Sequence, residues 1–287
     1  MKRISKPHFV PGELIAFKAK SDQTALARYA IGGTFVQSDR PPFRWRIPQP
    51  PEWKFMQMFN WDNVCVRREP FTVFYIRDLL WPPFYCELAE TFPLLSHFRY
   101  RETLGNKYLL TESEGESYYD FVKAYPPWQK FYTEIKSINF REQVLSFLRS
   151  HISGSGIQAD ELAGSFASRF EFSALPANGG SQRPHTDSPR KVVTLVLSLM
   201  KEGEWSPDWG GGTSICAPKD KTLYSNYCNQ YLDFDDVEVI DTFPFVPNAC
   251  VMFVKTSVSW HCVTPINLPG DTPIRKTVAI SLYHEDE

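Results

Sequence analysis

The sequence of 287 residues lacks a long apolar segment. Its longest apolar run covers residues 192–200, whereas a helix that spans a bilayer needs about 20 such residues. The first eight residues are charged and lack the apolar core of a secretory signal. These absences exclude a membrane-spanning protein, and we expect a cytoplasmic one.

The sequence also lacks the cysteine spacings of metal-binding or redox motifs. No C-x-x-C pair and no zinc-finger spacing is present, and an even number of cysteines is weak evidence for disulfides. We therefore expect reduced, mostly packed thiols. The six cysteines are Cys65, Cys86, Cys216, Cys228, Cys250 and Cys262.

There is no large excess of charge of either sign. Thirty-one basic and 33 acidic residues give a net charge of −2, so no general attraction to nucleic acid is expected. Residues 1–110 are nevertheless basic on balance, with 16 Lys and Arg against 10 Asp and Glu, and residues 111–287 are acidic. An uneven solvated surface explains this difference, and recruitment of an anionic substrate or surface is the alternative.

What the sequence does contain begins with a proline-rich segment at residues 39–53. Its five prolines exclude a helix or a central strand. We interpret the segment as an extended stretch whose aromatic residues hold it to the core. A proline-rich motif for a partner protein is the alternative.

The middle third of the chain has helical patterns. Pro126 and Pro127 end the first of them, and Asn139 with Glu142 three residues later resembles a capping box for the last. We predict three helices, over residues 116–124, over 128–136 and from near Asn139 onward.

From Gly164 the pattern changes to short strands separated by turns, which is typical of a sandwich or barrel. We predict strands over residues 166–173, 192–200, 237–243, 250–255, 259–264 and 275–283. The predicted fold class is mainly β with α additions. Residues 1–160 form a loop-rich and helical region that packs on a β core of residues 161–287, in one continuous unit.

The most informative motif is His185-Thr186-Asp187, before the buried strand. In an extended chain, residues i and i+2 point to the same face about 6–7 Å apart. The imidazole and the carboxylate can then reach a shared point between them. These ligand types suit a divalent metal such as iron. A simple His–Asp hydrogen bond at a strand end is the alternative.

Three later features favour the metal. A glycine turn at residues 209–213 permits a tight bend beside a crowded centre. A second histidine, His261, stands 74 residues after Asp187 in the segment 258–265. The strand 275–283 then opens with two cations.

With these elements in this order, the sequence resembles the Fe(II)/2-oxoglutarate-dependent oxygenase superfamily, closest to its prolyl-4-hydroxylase-like and phytanoyl-type branches. The resemblance covers about residues 164–284. It implies a double-stranded β-helix (jelly-roll) core flanked by helices, with His185, Asp187 and His261 as a facial triad for Fe(II). It further implies 2-oxoglutarate and O2 as cosubstrates and hydroxylation of an unactivated C–H bond, with release of succinate and CO2. Because family halogenases replace the carboxylate, Asp187 favours hydroxylation.

The resemblance also requires a cation for the distal carboxylate of 2-oxoglutarate. Arg275 and Lys276 are adjacent and so face opposite ways on a strand. If Arg275 points inward, Thr277, Ala279 and Ser281 do too, and that face is small and polar. We expect Arg275, with Thr277 and Ser281, to bind the cosubstrate, and Lys276 is the reserve. The alternative is that both cations lie on the surface.

The substrate, a small molecule or a side chain, is not identified by the sequence. Arg169, Gln182 and Arg183 are weak candidates for contacts with it, and Glu171 shares a strand face with Arg169. Arg190 and Lys191, which follow the motif, are further weak candidates, and a solvated strand start is the alternative for both. The alternative function is a cupin-like metal-binding protein, including a zinc protein, without oxygenase activity. A protein-interaction module on a jelly roll is the third possible function. The sequence leaves the oligomeric state open.

Overall fold

The computed structural model describes residues 58–285, apart from 152, 155–156, 158–161 and 271, together with two short strands near the N-terminus. The chain divides into a unit Met1–Ile47 and a unit Pro48–Glu287. The described part of the first unit is the antiparallel pair β1 (Ala30–Ile31) and β2 (Thr34–Phe35). The proline-rich segment 39–53 lies outside the described residues.

The second unit is built on eight antiparallel strands that alternate, with one exception, between two sheets. In chain order they are β7 (Phe166–Pro176), β8 (Gln182–His185), β9 (Lys191–Ser198), β10 (Thr213–Pro218), β11 (Val237–Phe243), β12 (Cys250–Val254), β13 (His261–Val263) and β14 (Ile274–His284). One sheet has the order β7-β14-β9-β12 and the other the order β8-β13-β10-β11. This is the topology of a double-stranded β-helix, so the predicted fold class is confirmed.

Four strands that the sequence patterns did not predict extend the larger sheet at both edges. They are β3 (Val64–Arg67), β4 (Val73–Ile76), β5 (Arg99–Arg101) and β6 (Lys107–Leu110). β4 pairs with β12, and β6 pairs with β7, which gives eight strands in the order β3-β4-β12-β9-β14-β7-β6-β5. The region before residue 160 therefore contributes strands as well as helices and loops.

The helices lie in the same region and are α1 (Pro82–Glu90), α2 (Glu116–Ala124), α3 (Pro126–Lys136) and α4 (Ile138–Ser150). Pro126 ends α2 but also opens α3, because proline at the first helical position loses no hydrogen bond. The predicted capping box at Asn139 is wrong. Ser137 is the N-cap of α4, and its hydroxyl accepts a hydrogen bond from the Phe140 amide. None of the described helices is long and apolar enough to cross a membrane.

The helices cover the outer face of the larger sheet through aromatic packing. Phe172 of β7 is fully buried, and its ring centroid lies 4.6 Å from that of Trp128 on α3. Val278 and Ile280 of β14 belong to the same core. Burying each such side chain contributes about 1.5–3 kcal/mol, so this face holds the sheet in place while the opposite face is free to line a cavity. The division at residue 160 stays a prediction, since helices and barrel share this core.

Candidate metal centre

The pairing of β8 with β13 brings the two predicted histidines together. His185 lies opposite His261 in the register, and their ring centroids are 4.3 Å apart. Asp187 follows with a φ of 72°, a left-handed conformation that is uncommon for a residue other than glycine. Ligand atoms from the three side chains all lie within 4.8 Å of one another, and all three residues are buried.

Backbone carbonyls orient both imidazoles. Nδ1 of His185 lies 2.8 Å from the Arg183 carbonyl oxygen, and Nδ1 of His261 lies 2.9 Å from that of Ser259. A carbonyl oxygen only accepts hydrogen bonds, so Nδ1 carries the proton and Nε2 presents its lone pair. Burial, together with neighbouring His185, lowers the pKa of His261 to about 3. His261 is therefore neutral at physiological pH, and its Nε2 lone pair is available to a metal.

Two side chains hold the Asp187 carboxylate. Lys191 Nζ donates to Oδ1 at 3.0 Å, and the Thr194 hydroxyl donates to Oδ2 at 2.8 Å. Burial alone would raise the pKa of Asp187, but the charge of Lys191 holds it well below its usual range. The alternative for Lys191, a solvated residue at a strand start, is wrong, because its side chain is only 16% exposed and pairs with Asp187. Its position four residues after Asp187 is the one sequence signal for that pair.

These donors fit a first-row divalent metal. Two imidazole Nε2 atoms and one carboxylate converge, with distances of 3.6 Å from Asp187 Oδ1 to His185 Nε2 and 3.9 Å from Oδ2 to His261 Nε2. Mixed nitrogen and oxygen donors of this kind suit Fe(II), with Zn(II) as a competitor. All three residues line a cavity of about 250 Å³, which would leave room for further ligands beside a bound metal.

The same cavity contains a buried arginine without an acidic partner. Arg275 is 3% exposed, and its Nε donates to the Gly211 carbonyl oxygen at 2.5 Å. Its guanidinium carbon lies 4.3 Å from the ring centroid of Phe245. Within the part of the chain that the structure describes, no ion pair is formed by this group. Burial lowers the pKa of Arg275 to about 9, so the group stays charged near neutral pH and can bind an anion in the cavity.

The glycine turn shapes this part of the cavity. Gly211 has a φ of 75°, and a Cβ there would lie 2.9 Å from Trp205 Cζ2 and 3.1 Å from Arg275 Cδ. The turn therefore requires glycine both for its backbone conformation and for its close approach to the arginine side chain.

Strand alternation separates the residues of β14. Thr277 and Ala279 line the cavity beside Arg275. Lys276 points the other way, and its Nζ lies 3.1 Å from Glu204 Oε2. Ser281 is buried on the face of Arg275, opposite Thr194, but lies beyond the residues that line the cavity.

The substrate candidates are found in different places. Gln182 and Glu171 line the cavity. Arg183 forms an ion pair with Asp233 at 2.7 Å. Arg169 is exposed and lies over the Tyr283 ring at 5.5 Å, outside the residues that line the cavity.

Among the residues of the cavity wall that sequence reasoning missed are Tyr231 and Lys107. Tyr231 stacks on the His185 ring with centroids 5.0 Å apart and an interplanar angle of 9°. Lys107 enters from β6, and its Nζ donates to Gln182 Oε1 at 2.9 Å. Neither stands in a local motif, because each reaches the site only through the folding of distant segments.

No family model and no curated protein matches this chain. Among solved structures, a Pseudomonas putida prolyl-4-hydroxylase is 16% identical with a TM-score of 0.41, over 74% of this chain and 92% of that one. A Phytophthora capsici prolyl 4-hydroxylase is 16% identical with a TM-score of 0.43, over 74% and 58%. The viral collagen prolyl hydroxylase from Paramecium Bursaria Chlorella virus-1, solved with 2OG, is 10% identical with a TM-score of 0.40, over 75% and 96%. These similarities are weak, so the function has to be inferred from the residues of this chain.

Proposed function

We propose that this protein is an Fe(II)- and 2-oxoglutarate-dependent oxygenase that hydroxylates an unactivated C–H bond of a small molecule or side chain, releasing succinate and CO2. One observation carries the proposal. A buried His185–Asp187–His261 cluster lines a small cavity inside a jelly roll. The same cavity is lined by the buried Arg275, which has no acidic partner among the described residues.

The three ligands would hold the metal, and the metal with its cosubstrate would supply the chemistry that activates O2. His185 and His261 would donate through Nε2, because both Nδ1 atoms are engaged with carbonyl oxygens. Lys191 and Thr194 keep the Asp187 carboxylate ionised and fix its orientation. The site is therefore arranged before the metal arrives.

Arg275 would bind the distal carboxylate of 2-oxoglutarate. Its planar guanidinium can donate two parallel hydrogen bonds to a carboxylate, and its Nε bond to Gly211 leaves the outer nitrogens for that purpose. Thr277 and Ala279 are small, so a flexible diacid fits between Arg275 and the metal ligands. Ser281 is a weaker candidate for a cosubstrate contact, because it lies beyond the cavity lining.

The alternative, a cupin-like metal-binding protein without oxygenase activity, explains the three ligands but not Arg275. Burying a charged guanidinium without an acidic partner is costly, and a metal-binding barrel has no use for it. The experiment that separates them measures succinate formation from 2-oxoglutarate with Fe(II) and O2, with and without chelator. It also measures Mn(II) binding by calorimetry.

We expect iron-dependent succinate formation, which Asp187→Ala abolishes while weakening Mn(II) binding by more than about a hundredfold. Asp208→Ala, in the short turn before the glycines, is the matched control. Metal binding without succinate formation would favour the binding protein. Full activity of Asp187→Ala would show that the metal ligands are assigned wrongly.

A further inference from the structure

A second group of hydrogen-bond donors in the cavity consists of Lys107 on β6 and Gln182 on β8, whereas Arg275 lies on β14. Lys107 belongs to β6, which pairs with β7, and β7 separates it from β14. Tyr108, Ala174 and Lys276 align across these three strands. Lys107 and Arg275, each one residue earlier, therefore fall in one row on the same face, with their backbones about 10 Å apart. This cavity wall therefore carries two cations in one row, which can hold two anionic groups side by side.

The contacts of Lys107 orient its neighbour as a donor. In the described part of the chain, the Lys107 ammonium has a hydrogen bond to Gln182 Oε1 at 2.9 Å and forms no ion pair. Because the amide oxygen of Gln182 is occupied, its Nε2 group is left to donate. Both residues line the cavity. An ammonium and an amide N–H at one wall form a site for an acidic group, and burial, which lowers the pKa of Lys107, adds to the need for one.

The charges of the cavity lead to the same conclusion. Its lining contains the cations Lys107, Lys191 and Arg275 and the carboxylates Glu171 and Asp187, a net single positive charge. A divalent metal adds two positive charges, and 2-oxoglutarate brings two negative ones. The loaded cavity thus keeps one uncompensated positive charge, which a monoanionic substrate would neutralise.

Resting on the proposed function, we propose that Lys107 and Gln182 bind the acidic group of the primary substrate, and that this substrate is a small organic anion with a carboxylate or phosphate group. The cavity of about 250 Å³ restricts the part of the substrate that enters it to a few carbons beside the cosubstrate. Lys107 is a binding residue in this assignment, and the ligands of the metal remain as above.

The test compares acids with their neutral counterparts. Short carboxylic acids (amino and hydroxy acids among them), phosphate monoesters of similar size, and the methyl esters or amides of the carboxylic acids are added to the protein with Mn(II) and 2-oxoglutarate. Thermal stabilisation reports binding without turnover. With Fe(II) and O2, the same compounds are tested for stimulation of succinate formation. We expect acids to bind, and to stimulate succinate formation, at least ten times more strongly than their neutral counterparts. Whichever of the carboxylate and phosphate series gives the stronger response identifies the acidic group.

Variants assign the effect to Lys107. Lys107→Met should raise the KM for the stimulating acid at least tenfold, and Lys107→Arg should bring that KM most of the way back to the wild-type value. Lys123→Met, at an exposed position on α2, is the control and should have the wild-type KM. Equal responses to acids and neutral counterparts, or no response to any acid, would overturn the proposal. So would a tenfold rise in the KM for 2-oxoglutarate with an unchanged KM for the acid, because Lys107 would then belong to the cosubstrate site. If the wild type forms no succinate under any condition, the proposed oxygenase function fails instead.

Discussion

Replacing Arg275 tests the cosubstrate site most directly. Arg275→Met keeps an apolar stem beside Phe245 but removes the guanidinium, whose carbon lies 4.3 Å from that ring. A hydrogen bond to a charged group contributes about 1.5–3 kcal/mol, so losing even one corresponds to an approximately ten- to hundredfold weaker affinity for 2-oxoglutarate. Metal affinity should change little, because Arg275 is not a ligand.

The matched control is Lys276→Met, one residue along the same strand. Its ammonium pairs with Glu204 on the other face of β14, so the dependence of succinate formation on 2-oxoglutarate should stay close to that of the wild type. Each variant is assayed for succinate formation over a range of 2-oxoglutarate concentrations and for thermal stabilisation by 2-oxoglutarate with Mn(II). A large loss in Lys276→Met with a normal Arg275→Met would refute the assignment of the strand faces. Equal, mild losses would place the anchor elsewhere.

Three further predictions concern the turn, the core and the metal ligands. Gly211→Ala should raise the KM for 2-oxoglutarate because its Cβ would press on Arg275, whereas Gly203→Ala, with a similar φ of 79° but no neighbour within 4 Å, should leave that KM unchanged. Phe172→Ala should lower the free energy of unfolding by about 3–5 kcal/mol in urea denaturation, and a loss below 1 kcal/mol would contradict the packing of the helices on β7. The metal-free protein should lose on the order of 2 kcal/mol of stability between pH 7 and pH 5, because the unfolded state protonates His261 near pH 6.5 while burial holds the folded pKa at about 3. His261→Gln should reduce that loss, and an unchanged pH profile would show that His261 is not the group responsible.

Six of the eight strands of the barrel were predicted because their local patterns carry the information, whereas β8 and β10 were not. The run 192–200 became β9 (Lys191–Ser198), and the segment 250–255 became β12 (Cys250–Val254). Each is apolar enough to be buried on both faces and is bounded by turns. The fold class follows from such segments in series.

The edge strands and the cavity wall were not predictable in the same way. β6 has only four residues, and it is a strand because β7 offers it a free edge. Lys107 meets Gln182 across 75 positions of sequence, and Tyr231 meets His185 through a loop between two strands. Such contacts depend on tertiary pairing, whereas His185 and Asp187 were visible because they stand two residues apart. The extended-chain reason for that prediction does not hold at Asp187, which lies beyond β8 with a φ of 72°.

Two cations in the cavity connect the stability of this fold to the proposed activity. Arg275 and Lys107 lie in the cavity without an acidic partner among the described residues, and each costs folding free energy while the cavity holds no anion. An apolar side chain of similar size would relieve that cost, so a purely structural role does not explain either residue. By contrast, Lys191 is compensated by Asp187 within the protein itself. On the assignments proposed above, these two cations would hold separate anionic groups that arrive from outside, an acidic cosubstrate on Arg275 and an acidic substrate on Lys107.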